Sequence, residues 1–308
     1  MSTDSSQEEY DLLIIGGGPA GLTAAAYAVR KRIETMLISE DLGGKTNYKF
    51  SLPDVETHLI IDGEELVNKF KSQLEYIDFA RHLGKVTKFQ RKGKTFTATT
   101  SDQTFRGKAV IIATGVMPKR LNVPGEEEFL GHGVSYSTVS HAPLFIDMDV
   151  AVVGDGMPAL QAAAELAQIA KKVNVIGVPN KLVASPLGMK IKDSGRAEFF
   201  TGCAVKEIRG NASPEKIVIK SKTGETEIPV KGVFIELGYV PNTAMLPRIV
   251  KLNREKRIII DENNQTNIPR LFAAGDVTNV NAQQVVIAIG EGANAALSAY
   301  NYLLTLKK

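Results

Sequence analysis

The chain has 308 residues, 44% of them hydrophobic and 23% charged, which is the make-up of an ordinary folded protein with length for two domains and excludes a disordered one. Its net charge of +3, with no basic stripe interleaved with aromatics, gives no reason to expect nucleic acid or a membrane surface as a partner, and no apolar run approaches the ~18 residues of a membrane span. The N-terminus MSTDSSQEEYD is acidic and polar where a signal peptide is basic and then apolar, so a cytoplasmic protein is expected.

The apolar run at Leu12 ends in Gly16-Gly17-Gly18 and passes through Pro19 and Ala20 into an alanine-rich segment. Gly16, Gly18 and Gly21 form G-x-G-x-x-G between a predicted strand and a predicted helix. The first glycine permits the tight turn, the second lets a pyrophosphate approach the backbone, and the third lets the helix pack on the strand. The helix N-terminus adds free amides and a partial positive charge. A strand-like run from Thr35 to Ser39 follows, and Glu40 lies 19 residues past Gly21, where an acid grips a ribose hydroxyl. Residues 10 to 40 therefore read as a βαβ unit for an adenine dinucleotide. A glycine-rich turn in an ordinary strand-to-helix unit is the plain alternative.

Gly43-Gly44-Lys45 then reads as a loop close to a ligand, and residues 46 to 62, with His58, as irregular chain. Gly63 to Tyr76 has helical spacing at Leu66, Phe70 and Leu74. Val86 to Phe89, Thr95 to Thr99 and Thr104 to Phe105 alternate and read as an antiparallel meander. Ala109 to Ala113 is a strand buried on both faces, closed by Thr114-Gly115. Pro118 to Phe129, with two prolines, Gly125 and an acid run, reads as an interdomain linker.

A second strand-turn-helix-strand unit begins at Val150, with Gly154-Asp155-Gly156-Met157-Pro158-Ala159 at its turn. Its helix shows one apolar face of Leu160, Ala163, Ala164, Ala167 and Ala170. Two such units about 138 residues apart amount to an internal duplication. Three short strands are expected between Thr201 and Glu236, a turn at Gly238 to Asn242, strands at Arg257 to Asp261 and Arg270 to Ala274, and a long helix from Val285 to Leu304. Cys203, the single cysteine, lies among Phe199, Phe200 and Val205 and reads as an inert thiol at a strand edge in a core. One cysteine also precludes a dithiol site within the chain. No metal site is expected.

GGGPAGL at 16 to 22, GG at 43 to 44, ATG at 113 to 115, NVPGEEEF at 122 to 129, GVSYSTVSHAPLF at 133 to 145, FIELGYVPNT at 234 to 243 and LFAAGDV at 271 to 277 together resemble the low-molecular-weight thioredoxin reductase family, nearly end to end. The resemblance implies an α/β fold of two Rossmann-like domains, the second inserted into the first. The FAD domain would hold residues 1–117 and 243–308, and an NAD(P)H-binding-like domain residues 118–242. FAD would then meet Gly16, Gly18, Pro19, Ala20, Gly21, Glu40, Gly43, Gly44, Lys45, Ala113, Thr114, Gly115 and Gly275. Asp276 would bond the ribitol chain, Gln283, Gln284 and Val285 would meet the flavin pyrimidine end, and Val86 would line the adenine pocket. A homodimer through the FAD domain is also implied.

The likeness breaks at the redox centre. The family follows GVSY with Cys-x-x-Cys and an acid, whereas this chain carries Ser137, Thr138, Val139, Ser140 and His141. A serine has neither a thiol's pKa nor its oxidation ladder, so thiol-disulfide exchange through this pair is not expected. An imidazole at 141, titrating near ~6.5, could give a reduced flavin a proton, and an exposed loop histidine is the alternative. The nicotinamide side breaks too. Where the family's NADPH users carry arginines for the 2′-phosphate, this chain has Gly177-Val178-Pro179-Asn180, with Lys181 the nearby cation. Asp155 brings a carboxylate to the phosphate turn. The stretch from Ala184 to Phe199 looks short for the helix expected there, and the family's Glu-Asn flavin contact reads here as Glu56-Thr57.

The expected function is an FAD-dependent oxidoreductase whose flavin is reduced by a donor other than NADPH: ferredoxin, a deazaflavin or a small substrate. A ferredoxin:NAD(P) oxidoreductase or NADH oxidase-like flavoenzyme is a second reading. A non-catalytic FAD-binding sensor or assembly subunit is a third.

Overall fold

A computed structural model describes residues 9–53, 55, 63–76, 80–280 and 282–306. His58 and the Glu56-Thr57 pair lie outside them. The chain divides into two compact units: Met1–Asn47, Asp62–Met117 and Val240–Lys308 form the first, Tyr48–Ile61 and Pro118–Tyr239 the second.

In the first unit, strand β1 (Glu9–Ile15) leads into helix α1 (Pro19–Arg30) and strand β2 (Thr35–Ser39), followed by helix α2 (Gly63–Tyr76). Leu12 to Ile15 are buried on both faces, which explains their unbroken apolar run. Glu64 and Glu65 stand in the first turn of α2, where a carboxylate meets the positive end of the helix dipole. Then come β3 (Arg81–Leu83), β4 (Lys88–Lys92), β5 (Thr95–Thr99), β6 (Thr104–Ile112) and β7 (Val116–Pro118). The sheet order is β3-β2-β1-β6-β5-β4, parallel from β3 to β6 and antiparallel through β5 and β4. The expected strands at Thr104 and Ala109 are one strand, because Gly107 leaves room for Leu13 beneath it. A Cβ there would lie 2.6 Å from Leu13 Cγ.

The second unit opens with β8 (Val134–Ser135) and the short helix α3 (Thr138–His141), then β9 (Asp149–Val153), α4 (Met157–Ile169), β10 (Lys172–Ile176), α5 (Asn180–Val183), α6 (Pro186–Asp193) and β11 (Ala197–Phe200). Strands β12 (Ala204–Gly210), β13 (Pro214–Ser221) and β14 (Gly224–Pro229) form an antiparallel meander, and β15 (Gly232–Ile235) returns to the parallel sheet β11-β10-β9-β15-β8. The region thus holds four strands rather than three. The stretch after Ala184 does accommodate a helix: Ser185 Oγ caps α6 by accepting from the Gly188 amide at 3.3 Å.

Two further expectations are corrected here. Pro118 to Phe129 is no linker: Glu126, 3% exposed, accepts from the Leu121 and Asn122 amides at 2.9 and 2.6 Å and from Tyr136 Oη at 2.7 Å. Its place in an acid run hid a carboxylate that organises the segment. Cys203 is half-buried in the turn between β11 and β12, not on a strand.

The chain re-enters the first unit through β16 (Tyr239–Pro241), which pairs with β7, and continues to β17 (Leu271–Ala273) beside β6 and to helix α7 (Val285–Leu304). Arg257 to Asp261 makes single bridges, from Ile258 to Leu252 and Thr278, in place of the expected strand. Helix α7 lies against α1 through small residues, since a Cβ at Gly292 would sit 2.1 Å from the Ala20 carbonyl oxygen. Ala295, Ala296 and Ala299 are buried along the same helix. None of the described helices is long and apolar enough to cross a membrane.

Candidate functional site

The turn between β1 and α1 treats its three motif glycines differently. Gly16 stands at φ +112°, and a Cβ there would lie 2.3 Å from the Ala113 carbonyl oxygen; at Gly21 it would lie 1.8 Å from the Gly16 carbonyl oxygen. Both positions are closed to any side chain. A Cβ at Gly18 would meet nothing within 4 Å. Gly18 is the N-cap of α1 and has no side-chain cap, so the first-turn amides point to the open side. That is the cradle an adenine dinucleotide pyrophosphate fits, and FAD suits it.

Other segments converge on this turn. Gly17 N–H donates to Ser39 Oγ at 2.7 Å, and Gly43 N–H to the Gly17 carbonyl at 2.7 Å. Asp41 Oδ1 accepts from the Gly44 amide at 2.7 Å, which holds the second glycine pair. Ala113 and Thr114 back Gly16, while Thr114 Oγ1 donates to the Asn242 carbonyl and Asn242 Nδ2 to the Thr114 carbonyl, both at 2.8 Å. Gly115, at φ +64°, turns the chain there. Gly275, at φ +79°, lies beside Ala20, and Lys45 Nζ pairs with Asp276 Oδ2 at 2.6 Å. Residues 43–45, 113–115 and 275–276 thus converge on the 16–21 turn.

The remaining expected contacts are less closely joined to it. Glu40 is exposed and pairs with Lys85 at 3.2 Å, a surface contact of little energy that leaves its carboxylate accessible. Val86 is half-buried and packs with the cluster of Leu13, Met36 and Phe89. Gln283 lies against the Arg257 guanidinium, its amide oxygen oriented as acceptor on hydrogen-bond grounds. Gln284 caps α7 by backbone only, and Val285 begins the helix and packs on the α1 side of the sheet. Sequence reasoning missed Ser39, Asn242, Arg257 and Glu291. It also missed the role of Asp41, whose place just before a glycine pair was a signal for a side chain that bonds local amides; the other four carried none.

In the second unit, Ser137 Oγ donates to Ser140 Oγ at 2.9 Å across α3. Glu236 Oε1 accepts from Thr138 N–H at 3.1 Å and Thr138 Oγ1 at 2.6 Å, and burial pushes its carboxyl up. His141 is half-buried, stacked on Phe50 at 4.1 Å, with Nδ1 2.7 Å from Ser135 Oγ. Desolvation lowers its pKa to about 4. The expected imidazolium near ~6.5 is corrected on that ground, and so is the exposed loop histidine. The Phe50 stack also explains why Tyr48–Ile61 groups with the second unit and not with the expected first domain.

The sign of the resulting linkage follows from the direction of the shift. The unfolded chain binds this proton near the ordinary ~6.5 and the folded chain near 4, so stability rises with pH between those values and is level above. Ring-proton NMR of His141 should show a flat titration from pH 8 to 5.5 and a midpoint near 4. A midpoint above 6 would mean the ring is solvated.

At the second glycine turn, a Cβ at Gly154 would lie 2.5 Å from the Glu236 carbonyl oxygen, whereas one at Gly156 would meet nothing closer than Pro158 Cδ at 3.4 Å. Asp155 is exposed. Helix α4 starts there without a side-chain cap.

Two largely parallel sheets, each opening on a glycine turn at an uncapped helix, define an α/β protein of the dinucleotide-binding kind. The chain belongs to the pyridine nucleotide-disulphide oxidoreductase family, which matches residues 10–292. It is similar to an alkyl hydroperoxide reductase subunit of Staphylococcus aureus, 34% identical over 304 residues, which cover 97% of this chain and 60% of that protein. The chain thus spans about 60% of the length of that curated relative. Its structure is similar to that of thioredoxin reductase from Streptococcus pyogenes, at 37% identity and a TM-score of 0.87, covering 97% of this chain and 99% of that one. A ferredoxin-flavin thioredoxin reductase from Clostridium acetobutylicum shares 30% identity at a TM-score of 0.50, covering 96% and 98%. In sequence and fold the chain is similar to the thioredoxin reductases.

Proposed function

We propose that the chain is an FAD-dependent oxidoreductase that takes electrons from a donor other than NADPH and exchanges no disulfide through cysteines of its own. The observation that carries this reading is the fit of the Gly16–Gly21 cradle to a pyrophosphate, open at Gly18 and closed at Gly16 and Gly21, in a chain whose Ser137–Ser140 pair holds two hydroxyls at 2.9 Å. When bound, FAD supplies hydride and single-electron transfer chemistry. The α1 amides would hold its pyrophosphate, Glu40 would accept from a ribose hydroxyl, and Asp276 would accept from the ribityl chain. Ser137 and Ser140 act as hydrogen-bonding groups and not as an electron relay. With its ring neutral at pH 7, His141 orients or accepts a hydrogen bond; it is no imidazolium acid. The name of the Clostridium neighbour, a ferredoxin-flavin thioredoxin reductase, supports ferredoxin as the donor to test first.

One observation favours a second reading, that a nicotinamide nucleotide still binds: the β9–α4 turn keeps its glycine pair, with Gly156 uncrowded. No arginine stands in the 177–183 segment to grip a 2′-phosphate, and Lys181 is its one cation. NADH then fits better than NADPH.

An anaerobic titration of the purified flavoprotein decides between them. Reduced ferredoxin should bleach the flavin absorbance faster than free FAD is bleached, while NADPH leaves it unchanged. Rapid bleaching by micromolar NADPH would overturn the first reading, and by NADH alone would establish the second.

A further inference from the structure

Gly275 stands at φ +79°, where a Cβ would come within 3.0 Å of Ala20 Cβ and 3.6 Å of Ala288 Cβ. A left-handed residue between two helices keeps its place through hydrogen bonds and not through side-chain packing. Its amide donates to Glu291 Oε2 at 2.6 Å, and the same oxygen lies 3.3 Å from Thr278 Oγ1, which also donates to the Gly275 carbonyl at 2.8 Å. Glu291 stands on α7, so one carboxylate ties the 275–278 turn to the helix that begins at Val285. The next residue, Asp276, is held from two further sides. Its carboxylate pairs with Lys45 at 2.6 Å, and its carbonyl accepts from Arg257 Nη1 at 2.5 Å.

We propose that Glu291 is a positioning residue for the flavin half of the cofactor, clamping the Gly275 amide so that Asp276 meets the ribityl chain at a set place. The inference rests on the reading that FAD binds this unit with Asp276 toward its ribityl chain. Glu291 acts through Gly275: its carboxylate accepts from the Gly275 amide and Thr278 Oγ1 and not from an amide of the Gly16–Gly21 turn. Its removal therefore weakens the riboflavin half of the site and spares the adenosine diphosphate half. A residue that merely held the fold would affect both halves alike.

The test compares FAD and ADP affinities of the wild-type apoprotein with those of Glu291→Ala and Glu291→Gln. Loss of one charge-assisted hydrogen bond predicts FAD binding about tenfold weaker in Glu291→Ala, with ADP binding within about twofold of wild type. Glu291→Gln keeps an oxygen acceptor for the Gly275 amide and should recover FAD affinity to within about threefold. Unaltered ADP binding shows that the variant is folded. Equal losses for FAD and ADP, or unchanged FAD affinity, would overturn the inference while leaving FAD as the cofactor. Should the wild-type chain bind no FAD, the cofactor reading falls and takes this inference with it.

Discussion

Gly18→Ala should abolish tight FAD binding without unfolding the protein. Gly18 has φ −72° and ψ −175°, values any residue adopts, and the added methyl would meet nothing within 4 Å. Its methyl would fill the space where a pyrophosphate must touch backbone. An affinity loss of about a hundredfold, worth about 2.7 kcal/mol, is expected, with the apoprotein Tm within about 2 °C of wild type. Gly21→Ala should act the other way round: its methyl would lie 1.8 Å from the Gly16 carbonyl oxygen, so the strand-helix packing itself must shift. Overpacking of that kind costs about 1–3 kcal/mol and lowers the apoprotein Tm by several degrees. Isothermal titration with FAD and thermal melts of both apoproteins measure the contrast. If Gly18→Ala binds FAD as wild type does, the turn is a packing element and not a phosphate cradle.

The second large effect concerns the serine pair. With Ser137 Oγ and Ser140 Oγ 2.9 Å apart, the double substitution Ser137→Cys/Ser140→Cys places two sulfurs within reach of a bond of about 2.05 Å. Oxidised protein should weigh about 2 Da less than reduced protein and show one titratable thiol, Cys203, instead of three. Wild type shows one thiol under both conditions. Three thiols persisting after oxidation would mean that the α3 backbone holds the two positions too far apart for a dithiol centre.

Much of the scaffold was legible from pattern. The helices expected at Gly63–Tyr76 and Val285–Leu304 are found with those bounds, and both glycine turns stand between a strand and a helix. Failures fell where a local pattern was overruled by a distant neighbour. Thr104 to Phe105 and Ala109 to Ala113 read as two strands, yet they are one, with Leu13 in the space a side chain at Gly107 would take. Arg257 to Asp261 alternates like a strand but meets its neighbours at single bridges. Glu126 reads as surface acid, yet its carboxylate is closed in by two amides and a phenol, none of which is visible as a partner from spacing.

The sequence by itself determined the backbone freedoms and the chemical inventory: glycine where φ is positive or the chain passes close, alanine where two helices meet, one cysteine, and hydroxyls at 137 and 140. These are properties of single residues and of periods of two or 3.6, and they need no partner to be read. Tertiary structure decided which glycine is open and which are filled. It brought three distant segments to the Gly16–Gly21 turn, enlisted Glu291 and Arg257 behind Asp276, and lowered the His141 pKa to about 4. Each depends on which chain segments meet and how much water they expel, and desolvation and hydrogen bonding are set by neighbours far apart in the chain.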